Sequence, residues 1–133
     1  YMKRAVFPDE IGRYAYPVDI HPSNADKAAY EKHREEFDRL YKYRRGESYG
    51  IPYRSLCAHG VGNLLVAGRC VSVDQKGQAS IRVMPACFIP GQAAGIAAAM
   101  AAGSSGCDVH AVDVASLQRR LAGFGAYLPN ARI

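Results

Sequence analysis

The sequence has no paired-cysteine spacing, no secretory leader and no long apolar run. Its four cysteines, Cys57, Cys70, Cys87 and Cys107, never form the C-x-x-C spacing of zinc sites and dithiol redox motifs. We therefore expect no metal site, and reduced cysteines buried among apolar residues. Basic residues at positions 3–4 are not followed by an apolar segment. The absence of a leader predicts a cytoplasmic protein.

Membrane and nucleic-acid partners are not indicated either. The least polar stretch, residues 89–103, is rich in glycine and alanine and is too short to span a bilayer. The net charge of +5 is spread along the chain. Its densest basic cluster, Lys42, Arg44 and Arg45, is short and follows acidic residues, whereas nucleic-acid binding favours basic residues concentrated on one face.

The chain also lacks the glycine-rich loop that holds a dinucleotide. Gly60 and Gly62 come nearest to G-x-G-x-x-G, but the third glycine is missing and the pair precedes a predicted strand instead of following one. The length of 133 residues is nevertheless sufficient for one domain with its own core.

The first 48 residues predict an edge strand and a charged helix. The strand is indicated by alternating apolar positions, Tyr14, Tyr16, Val18 and Ile20. Pro17 would confine it to the edge of a sheet, because proline cannot donate a ladder hydrogen bond. Ser23 or Asn24 can cap the helix, which is predicted to run to about Arg45 and to end at Gly46.

Two short strands are predicted in the middle of the chain. Residues 64–67 are a continuous apolar run, as expected of a strand buried on both faces of a parallel sheet. The run ends in Gly68 and Arg69, the position where open α/β sheets bind ligands. Residues 71–78 predict a loop, and residues 81–83 predict a second strand that carries Arg82.

A helix of small residues is predicted over residues 91–102, with Pro90 in its first turn. Its N-terminus at Gly91, Gln92 and Ala93 would present free backbone N–H groups, which bind anions or carbonyl groups. A tightly packed core helix is the alternative interpretation of the same residues.

The C-terminal region predicts an extended segment and a last helix. Residues 109–112 are expected to be extended. Asp113 is suited to cap the helix, in which Leu117 and Leu121 share one face, and Gly123 is suited to end it.

Five segments together resemble the C-terminal end of FAD-dependent oxidoreductases of the two-dinucleotide-binding-domain flavoprotein family. They are IPYRSL at 51–56, GVGNLLVAGRC at 60–70, SIRVMP at 80–85, GQAAG at 91–95, and residues 113–128. No segment is diagnostic by itself, but their order and spacing are specific as a set. The resemblance covers about residues 49–128 and is loose before them.

The resemblance implies FAD as the cofactor. The implied contacts are Gly68, Arg69, Arg82, Val83, Met84, Gly91, Gln92, Ala93 and Ala94. The first two would lie near the ribityl chain and pyrophosphate, and the next three near the isoalloxazine ring. The last four would face the pyrimidine end of the ring, where backbone N–H groups and the helix dipole stabilise negative charge on reduced flavin.

The resemblance also implies the fold. It is α/β, part of an FAD/NAD(P)-binding, Rossmann-like domain with few strands and about three helices. Residues 49–133 would be the C-terminal part of the FAD-binding domain, and residues 1–48 a remnant of a substrate domain. Because the glycine-rich loop is absent and the chain begins at Tyr1, we expect a fragment of a longer flavin-dependent oxidoreductase. Its partner would be the missing N-terminal part, without which FAD binding is weak or absent and turnover is lost.

The residues leave the substrate and one alternative function open. Tyr53, Arg54 and His59 precede the predicted strand and are candidates to contact a small-molecule substrate, with a structural role as the alternative for each. No catalytic acid or base is assigned. The alternative function is a stand-alone, non-enzymatic interaction domain that forms a homo-oligomer through the helices at 25–45 and 91–102.

Overall fold

The computed structural model describes residues 5–19, 27–32, 34–131 and 133. Its main elements are β1 (Glu10–Tyr14), α1 (Lys27–Lys32), α2 (Arg34–Tyr41), β2 (Tyr49–Pro52), α3 (Gln75–Ile81), α4 (Met84–Ala102) and α5 (Val114–Gly123). Short 3₁₀ turns lie at Tyr53–Leu56, Gly68–Cys70 and Val109–Ala111. The described part is a small α/β structure, as expected, but it has five helices instead of about three. Its sheet has two antiparallel strands, so the expected parallel sheet is absent from these residues.

The core is built around α4, which contacts β1, α5 and all three 3₁₀ turns. Ala86, Ala93 and Ala97 are completely buried on its inner face, and their small side chains let neighbouring elements approach closely. Leu117 and Leu121 of α5 are completely buried against it, which confirms the face predicted for the last helix. The division of the chain at residue 48 stays a prediction, although β1 and β2 pair across it.

The beginning of α4 differs from the prediction. The helix begins at Met84, with Pro85 in its first turn, and Pro90 lies inside it. Either proline suits a first turn by its fixed φ. Pro90 is tolerated within the helix and is buried in the core. At 19 residues, α4 is long and apolar enough to cross a membrane by length and composition alone, so the argument that the segment is too short was wrong. α4 nevertheless packs against β1, α5 and the three 3₁₀ turns, although only 28% of its apolar window is buried.

The predicted strand around Tyr16 lies earlier in the chain, at Glu10–Tyr14. It pairs antiparallel with β2, and Arg13, which forms a buried ion pair with Glu10 of its own strand, donates through Nη2 to the Ser48 carbonyl at 2.7 Å just before β2. After Tyr14 the chain leaves the sheet, although Val18 remains buried. Ile20, the last position of the predicted strand, lies outside the described residues.

The charged helix also ends earlier than predicted. Its last residue is Tyr41, because the chain turns at 44–47, where the Glu47 carboxylate accepts the Arg44 backbone N–H at 2.7 Å. Gly46 has a φ of +84° in this turn, a conformation that glycine adopts readily. The predicted caps, Ser23 and Asn24, lie outside the described residues.

The two strands predicted between residues 64 and 83 are absent. Residues 64–67 make only one bridge, between Leu65 and Cys57, and no described strand lies beside them to complete a sheet. The predicted loop and second strand are instead largely α3. Asp74 caps this helix by accepting the Gly77 N–H at 2.7 Å, and the helix includes Ile81.

The C-terminal predictions had mixed outcomes. Asp113 caps α5 by accepting the N–H groups of Ala115 and Ser116, as predicted. The segment expected to be extended is a 3₁₀ turn, Val109–Ala111, because the Asp108 carboxylate accepts the His110 N–H at 2.9 Å and tightens the chain.

The four cysteines are free, but they are not all buried as expected. Cys57 and Cys87 are half-buried, whereas Cys70 and Cys107 are exposed. Cys70 lies in the Gly68–Cys70 turn, and Cys107 lies in the loop between α4 and the Val109–Ala111 turn, so neither is placed on an element that faces the core.

Candidate functional site

Two of the predicted cofactor segments meet in space. Arg69 Nε, on the Gly68–Cys70 turn, donates a hydrogen bond to the Arg82 carbonyl oxygen at 2.8 Å. Gln78 Nε2 of α3 donates to the Arg69 carbonyl oxygen at 3.1 Å. The turn is therefore tied to the end of α3, directly before α4 begins.

Gly68 and the two arginines form an exposed, positively charged surface. Gly68 has a φ of +74°, and a Cβ at this position would find no atom within 4 Å, so the backbone is open to a ligand. Both arginines are exposed. Arg82 Nη2 contacts Asp19 Oδ2 at 2.6 Å, which holds this guanidinium group against the preceding segment.

The N-terminus of α4 lies next to this surface. Val83 occupies the cap position and provides no side-chain hydrogen bond, and no acidic residue is present in the first turn. Neither the cap residue nor the first turn of α4 therefore neutralises the positive end of the helix dipole. Met84, with 67% of its surface exposed, begins the helix beside Arg82.

Residues 91–94 do not form a helix N-terminus, which corrects the prediction. They lie within α4, where intrahelical hydrogen bonds occupy the backbone N–H groups. Gly91 and Gln92 are exposed, Ala94 is half-buried, and Ala93 is completely buried in the core. The side chain of Ala93 consequently points away from any surface ligand.

One side of α4 is apolar and open. We call it the open face of α4 and define it by Met84, Phe88, Gly91 and Gly95. Phe88 is 69% exposed, and a Cβ built on either glycine would find no atom within 4 Å. The structure thus leaves Gly91 and Gly95 on the surface, whereas the buried alanines of the helix pack closely in the core.

The substrate candidates lie in a different place. Tyr53, Arg54 and His59 line a cleft of about 460 Å³ together with four further residues, Asp9, Cys57, His110 and Val114. We call this the polar cleft. None of the predicted FAD contacts lines it. The structure therefore brings the three substrate candidates together but separates them from Gly68, Arg69 and Arg82.

Tyr53 has a structural role. Its side chain is buried, and its hydroxyl donates to the Val109 carbonyl oxygen at 2.7 Å. Burial, with smaller contributions from Cys57 and Asp108, raises the pKa of Tyr53 well above its usual value. Burial also raises the pKa of the Cys57 thiol, which opposes a role as a thiolate nucleophile.

Sequence reasoning missed His110 and Asp9 as neighbours of Arg54. They are 56 and 45 positions away in the chain, so no local spacing indicated the contact. Asp9 holds Arg54 through Oδ1 at 2.6 Å and through Oδ2, which accepts the Arg54 backbone N–H at 3.1 Å. Within the described ranges, no three His, Cys, Asp or Glu side chains form a group that could hold a metal ion.

Comparison with known proteins gives one match. A protein-family model described as FAD dependent oxidoreductase matches residues 1–121 of this chain. Comparison with curated proteins gave no match, and comparison with solved structures gave none either. The match includes the Gly68–Arg82 surface, α4 and the polar cleft.

Proposed function

The chain belongs to the FAD-dependent oxidoreductase family, and from this premise we propose that it is the C-terminal part of a flavin-dependent oxidoreductase. In the intact enzyme it supplies one side of the FAD site. The flavin, when bound, performs the hydride or electron transfer, and the residues of this chain bind and orient it. The isolated chain binds FAD weakly or not at all and has no turnover.

The hydrogen bond between Arg69 and Arg82 is the observation that carries this proposal. It joins two separately predicted FAD segments at the uncapped N-terminus of α4. Two exposed guanidinium groups, an open glycine and the positive end of a helix suit the negatively charged pyrophosphate of FAD. Because α4 begins at Met84, the positive end of its dipole supports binding of the negatively charged part of FAD beside Val83 and Met84 instead of at Gly91.

The open face of α4 supports contacts further along the cofactor or with the rest of the enzyme. Gly91 is exposed there, and elsewhere on the helix Gln92 is exposed and Ala94 is partly accessible. The completely buried Ala93 contributes by shaping the helix and not by touching the flavin. Tyr53, Arg54 and His59 remain candidates for substrate contact.

We also propose that the missing N-terminal part completes a Rossmann-like sheet and provides the glycine-rich loop. The apolar run at 64–67 supports this proposal, because within the described residues it has no strand beside it apart from one bridge. Leu64 is 45% exposed, although the run has the composition of a buried strand. A neighbouring strand would bury it.

A second candidate function is a self-associating interaction domain without enzymatic activity. The open face of α4 favours it, because exposed apolar surface on a helix is typical of protein interfaces. The family match favours the flavoenzyme. The two functions can be distinguished because only the flavoenzyme requires a dinucleotide-binding segment encoded before Tyr1.

Sequencing the reading frame upstream of Tyr1 tests the proposal. We expect a strand followed by G-x-G-x-x-G and an acidic residue about 20 positions later. An initiator codon directly before Tyr1 would contradict the flavoenzyme proposal and favour the interaction domain.

The protein encoded by that frame then permits a binding test. Arg69→Gln and Arg82→Gln should each weaken FAD binding by about tenfold, since each removes one charge-assisted contact with phosphate. Arg45→Gln, on the exposed turn after α2, serves as the control and should leave FAD affinity unchanged. Equal affinities for all three variants would show that the Arg69–Arg82 surface does not hold the cofactor.

A further inference from the structure

The polar cleft continues into a second cleft of about 380 Å³. Both are lined by Arg54, Cys57 and His59, so together they form one groove on the surface. We propose that this groove binds the carboxylate group of a small organic acid, through Arg54, His59 and His110. The inference deepens the proposed function and rests on it, because it names the chemical class of ligand for the substrate candidates Arg54 and His59; the binding itself requires no flavin.

Arg54 is held in position and still has an open edge. Asp9 engages its Nη1 and its backbone N–H, and the Phe7 ring lies with its centroid 5.1 Å from the guanidinium carbon. Within the described part of the chain, Nε and Nη2 make no hydrogen bond. These two groups form one planar edge with parallel N–H bonds, the geometry that pairs with both oxygens of a carboxylate.

The two histidines extend this edge. His59 is exposed and makes no hydrogen bond with the described residues. His110 is oriented at two points, because its backbone N–H donates to Asp108 Oδ1 at 2.9 Å and its Nε2 lies 3.3 Å from the Val61 carbonyl oxygen. Because Nε2–H is then the donor to the Val61 carbonyl, His110 donates to a carboxylate through Nδ1–H only in its doubly protonated form.

The chemistry of the groove favours a carboxylate over the alternatives. A metal ion is disfavoured because no three suitable ligands cluster among the described residues. The carboxylate of Asp9 is engaged by Arg54, so it does not simply repel an incoming anion. Val114 and the ring of Tyr53 provide an apolar wall for the carbon chain of the acid. The guanidinium edge pairs with carboxylate and phosphate alike, so it is this apolar wall that favours an acid with a carbon chain over inorganic phosphate.

The test is an NMR titration of the 133-residue chain, without flavin, using succinate as the probe at constant ionic strength. We expect saturable shifts of the His59 and His110 ring signals and of the Arg54 Nε–H signal, at millimolar concentrations. Arg54→Lys should weaken binding by about tenfold, because lysine keeps the charge but loses the planar edge. Arg45→Lys is the matched control and should bind succinate like the unchanged chain.

His59→Gln provides a second variant that does not disturb the Asp9–Arg54 ion pair, and it should weaken binding severalfold. The proposal is overturned if succinate produces no saturable shift, or if Arg54→Lys and His59→Gln both bind as the unchanged chain does. Tighter binding of inorganic phosphate than of succinate would also overturn it, because the apolar wall of Val114 and Tyr53 would then contribute nothing to selection. FAD binding is not measured, so failure here is distinguishable from failure of the flavoenzyme proposal.

Discussion

The Tyr53 hydroxyl joins two segments that are far apart in the sequence. It donates to the Val109 carbonyl oxygen at 2.7 Å in a buried environment, and so fixes the Tyr53–Leu56 turn against the Val109–Ala111 turn. A buried carbonyl that loses its partner remains without water to replace it, so this one atom stabilises one wall of the polar cleft.

Tyr53→Phe removes only that hydroxyl. We expect the free energy of unfolding to fall by about 1–3 kcal/mol, since the Val109 carbonyl is left buried and unsatisfied. Urea denaturation followed by circular dichroism measures the change. Tyr127→Phe is the control, because Tyr127 is 62% exposed, and its stability should be unchanged. Equal stability of both variants would indicate that water replaces the Tyr53 hydroxyl.

Asp113 makes stability depend on pH. A hydrogen bond from the Ser116 hydroxyl, then backbone N–H bonds from Ser116 and Ala115 and the nearby Arg119, lower the pKa of Asp113 below its usual value. Because the folded-state pKa is the lower one, this stabilisation is fully present above the usual value of 3.8 and is lost as the pH falls through the folded-state pKa.

Asp113→Asn tests this dependence. Asparagine still accepts N–H groups at a helix N-terminus but cannot be protonated in this range. We expect the loss of Tm between neutral and acid pH to be smaller in this variant than in the unchanged chain. Glu35→Gln, at an exposed position of α2, should show the same loss as the unchanged chain. An unaltered acid response in Asp113→Asn would contradict the assignment.

Residues whose role depends on near neighbours were predictable, and residues whose role depends on distant ones were not. The Asp113 cap was predicted because the N–H groups that it accepts lie two and three positions ahead. Arg54 and His59 were identified as candidates, but Asp9 and His110 join them only through tertiary contacts. The buried Glu10–Arg13 pair was missed because its burial depends on β2 and Ser48, which come much later in the chain.

At the scale of elements, α4 shows why a helix boundary is hard to locate when two prolines are present. Pro85 and Pro90 both have a backbone suited to a first turn, and the sequence contains no side-chain cap to choose between them. Packing determines that the helix begins near Pro85, because Ala86 in that first turn is completely buried in the core. The strand predicted at 64–67 is absent for another reason. These residues have the apolar composition of a buried strand, but no described strand pairs with them.

Gly91→Ala tests the extent of α4. Gly91 lies within the helix, and a Cβ there would meet no atom within 4 Å. Alanine should therefore raise the free energy of unfolding by about 0.5–1 kcal/mol, by reducing the entropy of the unfolded chain. Differential scanning calorimetry measures the change as a higher Tm.

Gly50→Ala is the contrasting variant. A Cβ on Gly50 would overlap the carboxyl group of Glu10, so the buried pair with Arg13 must shift. We expect Gly50→Ala to lower the free energy of unfolding, whereas Gly91→Ala should raise it. Destabilisation by Gly91→Ala would contradict the position of this residue within an open stretch of the helix.

At the scale of the whole molecule, the completed core and the uncovered surface lie on opposite sides of one helix. Ala86, Ala93 and Ala97 are completely buried on the inner side of α4, whereas Met84 and Phe88 are more than 60% exposed on the other side. A helix that is apolar on all sides normally lies inside a larger structure. The exposed side is therefore where the proposed remainder of the flavoenzyme, or another copy of the chain, would bind.

The last prediction follows from this uncovered surface. The 133-residue chain alone should self-associate with increasing concentration in sedimentation velocity, since apolar surface is removed from water when open faces meet. Phe88→Ser should shift this equilibrium toward the monomer.

Phe124→Ser is the control, because Phe124 is 72% exposed but lies after α5 and outside the open face of α4. This variant should associate like the unchanged chain. A chain that stays monomeric at all concentrations would show that the open face does not associate by itself. Equal loss of association in both variants would instead show that exposed aromatic residues act without regard to position, and that α4 is not the interface.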